Sequence, residues 1–268
     1  MELRPIPTVE EILGPSPGQL LRRRIFGHKG LMIGGVVLAI IILLALLAPV
    51  ISPHDPYHQS LTKRMSKPFW QAEGTWDHPL GTDQVGRDYL SRLLYGAQIS
   101  LLIGFSVALI SGVIGTGLGI VAGYFGGRVD MVITFIITLR LSLPFVLVAV
   151  AVVGLVGGSL KVVIITLGLL LWNRYAVVMR SATQQIRNQD YVPAAQAVGC
   201  STLRILLSEI MPNILNNLVV VATLEMANAI LLEAALSFLG LGVQPPMPSW
   251  GLMVSEGKDF LFFEPWLI

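Results

Sequence analysis

Arg140, Glu225 and Glu233 lie well inside apolar stretches, and they carry the chemistry that this chain could perform within a membrane. Arg140, together with Pro144, interrupts residues 129–157, and Glu225 and Glu233 lie in residues 213–239. Intramembrane charges are costly, so they usually pair, face a bundle interior or mark a path for a substrate or ion. The glutamates are separated by about 12 Å and about 80° on a helix, so both can face an interior path. We predict that Arg140 pairs with Glu225; the alternatives are snorkelling and pairing with another subunit.

Other kinds of chemistry have little support in the sequence. It contains no GxxxxGK[ST] phosphate-binding loop, no HExxH and no GxSxG. The histidines lie outside the apolar stretches, at His28, His54, His58 and His78. His54 and His58 lie close to Asp55 in a weakly metal-like pattern, but polar side chains exposed to solvent are the better interpretation. We therefore predict no catalytic residue, no metal ligand and no cofactor bound by this chain.

The composition is that of a membrane protein. Hydrophobic residues make up 54% of the 268 residues and charged residues 13%, whereas soluble domains are about 25% charged. The mean hydropathy is +0.73. Such a chain cannot bury its apolar surface in one water-soluble core, so we predict an all-α, polytopic fold in a lipid bilayer. The net charge of +2 gives no indication of nucleic acid, and the single cysteine, Cys200, excludes an intrachain disulfide.

Five apolar stretches approach the roughly 20 residues that a spanning helix needs. They cover residues 31–52, 98–123, 129–157, 159–179 and 213–239. A basic cluster, Arg22 to Arg24 and Lys29, precedes the first stretch and places residues 1–30 in the cytoplasm. Alternation then places residues 53–97 outside and the polar loop 181–212 in the cytoplasm. Basic residues in the external segment oppose this orientation, so charge alone does not decide it.

The polar segment 190–213, DYVPAAQAVGCSTLRILLSEIMPN, has the pattern of two short helices around a turn. Pro193 suits a first helical turn, and Gly199 breaks the thin alanine-rich helix that follows. Ser201 or Thr202 can cap the second helix. An apolar stripe at Leu203, Leu206, Leu207 and Ile210 follows, and we predict that Pro212 ends it.

Residues 78–101, HPLGTDQVGRDYLSRLLYGAQISL, combine turn glycines with closely spaced opposite charges. Gly81 and Gly86 permit tight turns. From Asp88 onward the pattern is partly amphipathic and predicts a helix at the membrane surface before the second span, so residues 53–97 form an external loop with an interfacial helix. A solvated loop with ordinary surface charges is the alternative.

Residues 78–101 and 190–213, together with AILLEAALSFLGLGVQPPMPSWG at 229–251, resemble the inner-membrane permeases of dipeptide, oligopeptide and nickel ABC importers. The resemblance covers about residues 31–268 and is greatest to the second, C-type permease. It implies a type I ABC-importer transmembrane domain, in which residues 98–268 form the permease core. The family normally has a sixth span after Pro265 and Trp266, which we expect to be missing here.

The resemblance also implies roles for particular residues. Coupling to the ATPase is implied for Tyr191, Pro193, Ala194, Ala195, Gly199, Arg204 and Pro212. An external gate or partner contact is implied for Gly81, Asp83, Gly86, Arg87, Asp88 and Arg92. A pathway or helix-packing role is implied for Glu233. The family usually has glutamate where this chain has Pro193, so any contact of that glutamate is absent.

The resemblance implies that this chain is one subunit of an importer complex in a bacterial or archaeal plasma membrane. Its other parts are a homologous second permease, two ATPase subunits that bind ATP and Mg, and an extracytoplasmic substrate-binding protein. The substrate is a peptide or similar small solute, with nickel as a further member of the subfamily. The alternative is an ion-coupled secondary transporter that uses Arg140, Glu225 and Glu233.

Small residues recur along the second span, including two GxxxG patterns at Gly115, Gly119 and Gly123. Such patterns let helix backbones approach closely. We expect this face to pack within the subunit rather than at the permease dimer contact.

Overall fold

The computed structural model describes residue 18 and residues 26–268, and the described residues are helical with no β-strand. Most of the predicted cytoplasmic segment 1–30 lies outside the described residues. The helices are α1 Lys29–Ile51, α2 Tyr89–Phe125, α3 Gly127–Ser142, α4 Phe145–Val156, α5 Leu160–Leu170, α6 Trp172–Arg187, α7 Tyr191–Ala197, α8 Thr202–Arg204, α9 Met211–Phe238 and α10 Trp250–Gly257. A π-helical turn, Ile205–Ile210, joins α8 to α9, and 3₁₀ turns occur at Leu61–Lys63, Lys258–Phe260 and Pro265–Leu267.

The predicted all-α membrane fold is confirmed. By length and composition, four helical segments are able to cross a membrane: Lys29–Ile51, Tyr89–Phe125, Leu160–Arg187 and Thr202–Phe238. The helix pair α3 and α4 passes the same test together but is bent by 80°. The described residues therefore contain four candidate spans, or five if the bent pair counts as one.

The third span is broken at Pro144, the proline that interrupts this stretch in the sequence. Leu143 has extended backbone angles (φ −85°, ψ 133°) and ends α3 before Pro144. Proline disfavours the helical conformation in the residue before it and lacks the N–H that would continue the helix. The fourth span also changes direction, at Leu171, where α5 ends and α6 begins.

The predicted interfacial helix is wrong as a separate element. The Asp88 carboxylate accepts a hydrogen bond from the Ser91 backbone N–H at 2.8 Å and caps α2. From there, α2 runs without interruption for 37 residues, about 55 Å at 1.5 Å per residue. The surface segment and the second span are thus one helix, which forms the axis of the subunit.

The small-residue face of α2 packs against α6 in the same subunit, as expected. A Cβ added at Gly115 would lie 2.2 Å from the Trp172 carbonyl oxygen, and one at Gly119 would lie 2.7 Å from that of Ala176. At Gly123 the corresponding distance to the Arg180 carbonyl oxygen is 2.7 Å. Only glycine allows this backbone approach.

The first span is attached along one edge of α2. Gln98 donates a hydrogen bond to the Ala45 carbonyl at 2.7 Å, and Ala45 and Ala48 are buried. Only 11% of the apolar window of α1 is buried inside the subunit. Most of α1 is therefore left for lipid or a partner.

Candidate functional site

A buried ion-pair network lies at the end of the molecule where α2 begins. Arg87 and Arg92 both bind the Asp83 carboxylate, each at 2.6 Å. Both also bind Glu256 of α10, at 3.2 Å and 2.7 Å. Asp83, Arg87 and Arg92 are each at most 4% exposed. The solvated-loop alternative is therefore wrong for these residues.

This network joins the start of α2 to α10. Two arginines face two carboxylates, so the buried charges balance; removing one member of a buried pair typically costs about 3–5 kcal/mol. Gly81 and Gly86 hold the loop with positive φ of 78° at both positions. The tight turns expected there are confirmed, and a Cβ at Gly86 would lie 1.9 Å from the Ser60 carbonyl oxygen.

A polar cavity of about 260 Å³ lies where α3, α4, α5, α6 and α9 meet. Its polar lining consists of Arg140, Asn173, Arg174, Glu225 and Asn228. Arg174 binds the Glu225 carboxylate at 2.8 Å, and Asn228 donates to the same carboxylate at 3.2 Å. Glu225 is 1% exposed, so Arg174 supplies the partner that this buried charge requires.

The predicted Arg140–Glu225 pair is wrong. Arg140 instead donates to the Leu170 carbonyl oxygen at 2.7 Å. The last carbonyls of α5 have no partner within their own helix, because α5 ends at Leu171. Arg140 satisfies one of them, and Arg174 of α6 takes the place beside Glu225.

Glu233 has a packing role in this structure. Its Oε1 accepts hydrogen bonds from the hydroxyls of Ser237 at 2.7 Å and Ser249 at 2.9 Å. Ser249 caps α10. The buried Glu233 carboxylate thus fixes α10 against α9, which agrees with the helix-packing alternative for this residue.

The loop between α6 and α9 has the predicted two-helix form. Gly199 separates α7 from α8 with φ of +85°, and Ser201 caps α8 by accepting from the Arg204 N–H at 3.4 Å. Val192 and Ile205 are buried beneath the loop. Val198 is 86% exposed, and Pro193, Ala194 and Gly199 are also exposed.

Pro212 does not end the second helix of this loop. It occupies the first turn of α9, directly after the π-helical turn Ile205–Ile210. The π turn changes the hydrogen-bond register where Pro212 offers no N–H, so the helical segment continues as Thr202–Phe238. The second helix of the loop is thus continuous with α9.

The loop and the ion-pair network lie at opposite ends of α2. Gln196 of α7 donates to the Tyr124 hydroxyl at 3.0 Å, next to the end of α2, whereas Arg92 lies in its first turn. Nearby, Arg180 of α6 forms a bidentate pair with Asp130 of α3, with Nη2 to Oδ2 at 2.6 Å. This ion pair anchors α6 shortly before the loop begins.

Family comparisons identify the class of protein. Residues 115–267 match the family described as binding-protein-dependent transport system inner membrane component, and residues 16–68 match the N-terminal TM domain of oligopeptide transport permease C. The first match covers more than half of the chain. The chain belongs to the binding-protein-dependent transport system inner membrane component family.

Curated relatives support the same assignment. The dipeptide transport system permease protein DppC of Haemophilus influenzae is 37% identical over 90% of this chain and 82% of its own length. The di/tripeptide transport system permease protein DppC of Pseudomonas aeruginosa is 38% identical over 95% and 84%. These matches confirm the resemblance to C-type permeases and a multi-pass location in the bacterial inner membrane.

A solved structure supports the fold. The methionine ABC transporter MetNI, in an inward-facing conformation, aligns with a TM-score of 0.56 at 17% identity. The alignment covers 66% of this chain and 84% of that chain. At this identity the likeness concerns the fold alone, and it confirms the predicted type I transmembrane domain.

Proposed function

We propose that this chain is the C-type permease subunit of an ATP-driven peptide importer, and that its loop of α7 and α8 docks on an ATPase subunit. The observation that carries the proposal is an exposed loop with a rigid base. Val198 and Leu203 are 86% and 66% exposed, although both are apolar. Val192 and Ile205 are buried in a cluster with residues of α2, α6 and α9, so the base of the loop is packed on the helical core.

The loop connects directly to the two helices that hold the polar cavity. Arg174 lies in α6, about 20 Å before the loop along the helix, and Glu225 lies about 35 Å beyond Thr202 in the following helical segment. A rigid-body movement of the loop would therefore move Arg174 and Glu225. This arrangement supports transmission of ATPase closure to the cavity, with ATP and Mg bound on the partner subunits.

The cavity also supports a peptide-like substrate. Free peptides carry a carboxylate and an ammonium group, and the cavity presents guanidinium groups at Arg140 and Arg174 beside the carboxylate of Glu225. The relatives named above are dipeptide and di/tripeptide permeases. A second permease subunit would complete the pathway, and an extracytoplasmic binding protein would deliver the substrate.

Co-purification tests the docking part of the proposal. The tagged full chain is extracted gently from its native membrane, and bound ATPase subunits are quantified by mass spectrometry. We expect Val198→Glu to remove most of the ATPase while the second permease is retained. Phe262→Glu is the matched control, because Phe262 is also apolar and 91% exposed but lies outside the loop. Equal ATPase recovery from both variants would contradict docking at this loop.

A further inference from the structure

A cluster of two imidazoles and a carboxylate lies between the end of α1 and the start of α2. We propose that His54, His78 and Asp88 bind a divalent transition-metal ion of the zinc class, and that this ion fastens α1 to the helical core. One donor atom from each of the three residues lies within 4.8 Å of the others. The site belongs to neither the ion-pair network nor the polar cavity.

The donor atoms converge on one oxygen of Asp88. His78 Nδ1 lies 2.9 Å from Asp88 Oδ1, and His54 Nδ1 lies 3.8 Å from the same atom. The two rings are 4.4 Å apart between centroids, at 31°. Modest movements would place a metal ion between two imidazole nitrogens and this carboxylate oxygen, with donor types that zinc accepts.

Asp88 is fixed in position before any ion binds. Its Oδ2 accepts the cap hydrogen bond from the Ser91 N–H, which leaves Oδ1 directed at the imidazoles. Its side chain is fully buried. In the described part of the chain, the basic groups within ion-pair distance of Asp88 are the imidazoles of His54 and His78. A buried carboxylate requires compensation, which a bound cation would provide.

The far edge of each imidazole faces a second carboxylate. Asp77 lies 3.5 Å from Nε2 of His54 and 3.5 Å from Nε2 of His78. Metal-bound histidines usually direct their other nitrogen at such a group. Lys63 Nζ also lies 3.4 Å from His78 Nε2. Lys63 holds Asp77 in place with a hydrogen bond of 2.6 Å. In addition, His54 Nδ1 is buried with no hydrogen-bond partner.

There is space for an ion and its remaining ligands. A cavity of about 170 Å³ is lined by all three residues and by the nearby His58. Three protein ligands with an open fourth position are a familiar zinc arrangement. The two imidazoles favour a borderline ion over Ca²⁺ or Mg²⁺, which prefer oxygen ligands.

The location of the cluster gives the ion a structural role. His54 follows α1 by three residues, Asp88 caps α2, and α1 has little other burial within the subunit. A metal ion bound to both would reinforce the attachment of this end of the first span, where the His54 backbone N–H donates to the Ser91 hydroxyl at 3.2 Å and Gln98 donates to the Ala45 carbonyl at 2.7 Å.

Metal titration of the full chain tests the site without any ATPase or substrate. The chain is purified in detergent with its affinity tag removed, and it is stripped with a chelator. It is then titrated with Co²⁺, whose visible absorption reports coordination, and afterwards with Zn²⁺ as a competitor. We expect one equivalent of each ion to bind, and Zn²⁺ to displace Co²⁺.

Two histidine variants give the decisive comparison. His54→Ala should weaken Zn²⁺ binding at least tenfold, whereas His58→Ala, an exposed histidine on the same cavity, should bind within about twofold of the native chain. His54→Gln repeats the test with a side chain of similar polarity if the alanine variant elutes abnormally on gel filtration. Absence of stoichiometric binding, or equal losses in the His54 and His58 variants, would overturn the proposal. The result is independent of whether the chain imports peptides.

Discussion

The contact between α2 and α6 permits a quantitative prediction with an internal control. A Cβ at Gly119 would lie 2.7 Å from the Ala176 carbonyl oxygen, 2.8 Å from Met179 Cβ and 2.9 Å from the Arg180 nitrogen. Two of these atoms belong to the backbone of α6 and cannot rotate away. At Gly117, two residues earlier on the same helix, an added Cβ would meet nothing within 4 Å.

The stabilities of the two alanine variants should therefore differ only by the cost of overpacking at Gly119. Gly→Ala gains up to about 1 kcal/mol in helix propensity at either site, and this gain cancels in the comparison. Overpacking at Gly119 costs about 1–3 kcal/mol. We predict that Gly119→Ala is about 1–3 kcal/mol less stable than Gly117→Ala.

Reversible unfolding in mixed detergent micelles measures this difference, with helicity followed by circular dichroism. Gly115→Ala extends the series, since its Cβ would lie 2.2 Å from the Trp172 carbonyl oxygen and should cost at least as much. Equal stability of the Gly117 and Gly119 variants would refute the packing account of this face.

Three further predictions concern the charged residues. Glu256→Gln should destabilise the chain by about 1–3 kcal/mol. This is less than the loss of a fully buried partner, because glutamine keeps an oxygen acceptor for Arg87 and Arg92 and the Glu256 side chain is 15% exposed. Thermal unfolding measures the change, and Asp259→Asn, which alters an exposed acid nearby in the sequence, should have little effect. A double-mutant cycle of Arg174→Ala and Glu225→Ala should give a coupling of about 0.5–3 kcal/mol, and a value near zero would contradict the pair. The cycle of Arg140→Ala with Glu225→Ala should be nearly additive in the same unfolding assay, and strong coupling would restore the pair that we rejected.

Local features of this molecule were predictable because they depend on residues close in sequence. Pro144 breaks the third span, Gly199 separates two short helices, and Ser201 caps the second of them. The spacing of Gly115, Gly119 and Gly123 predicts a close helix contact, although only the structure identifies α6 as its partner. These signals are backbone preferences and act within a few residues.

Contacts between residues that are far apart in the sequence could not be predicted from these local patterns. Glu256 completes a network with Arg92, 164 positions away in the sequence. Arg174 lies near the end of the fourth apolar stretch in the sequence, and only the folded structure shows that it, rather than Arg140, contacts Glu225.

The histidines illustrate the same limit. The sequence pairs His54 with His58 by proximity, but the fold brings His54 to His78.

The central claim is that ATP hydrolysis on partner subunits drives peptide import through this chain. Its most direct test uses the whole transporter, purified by a tag on this chain and reconstituted into proteoliposomes with its binding protein. Uptake of a radiolabelled dipeptide into these proteoliposomes is then measured. The account predicts uptake that requires ATP on the side of the α7–α8 loop and is abolished by Val198→Glu. Uptake driven by an ion gradient without ATP, and unaffected by that substitution, would contradict it and favour a secondary transporter.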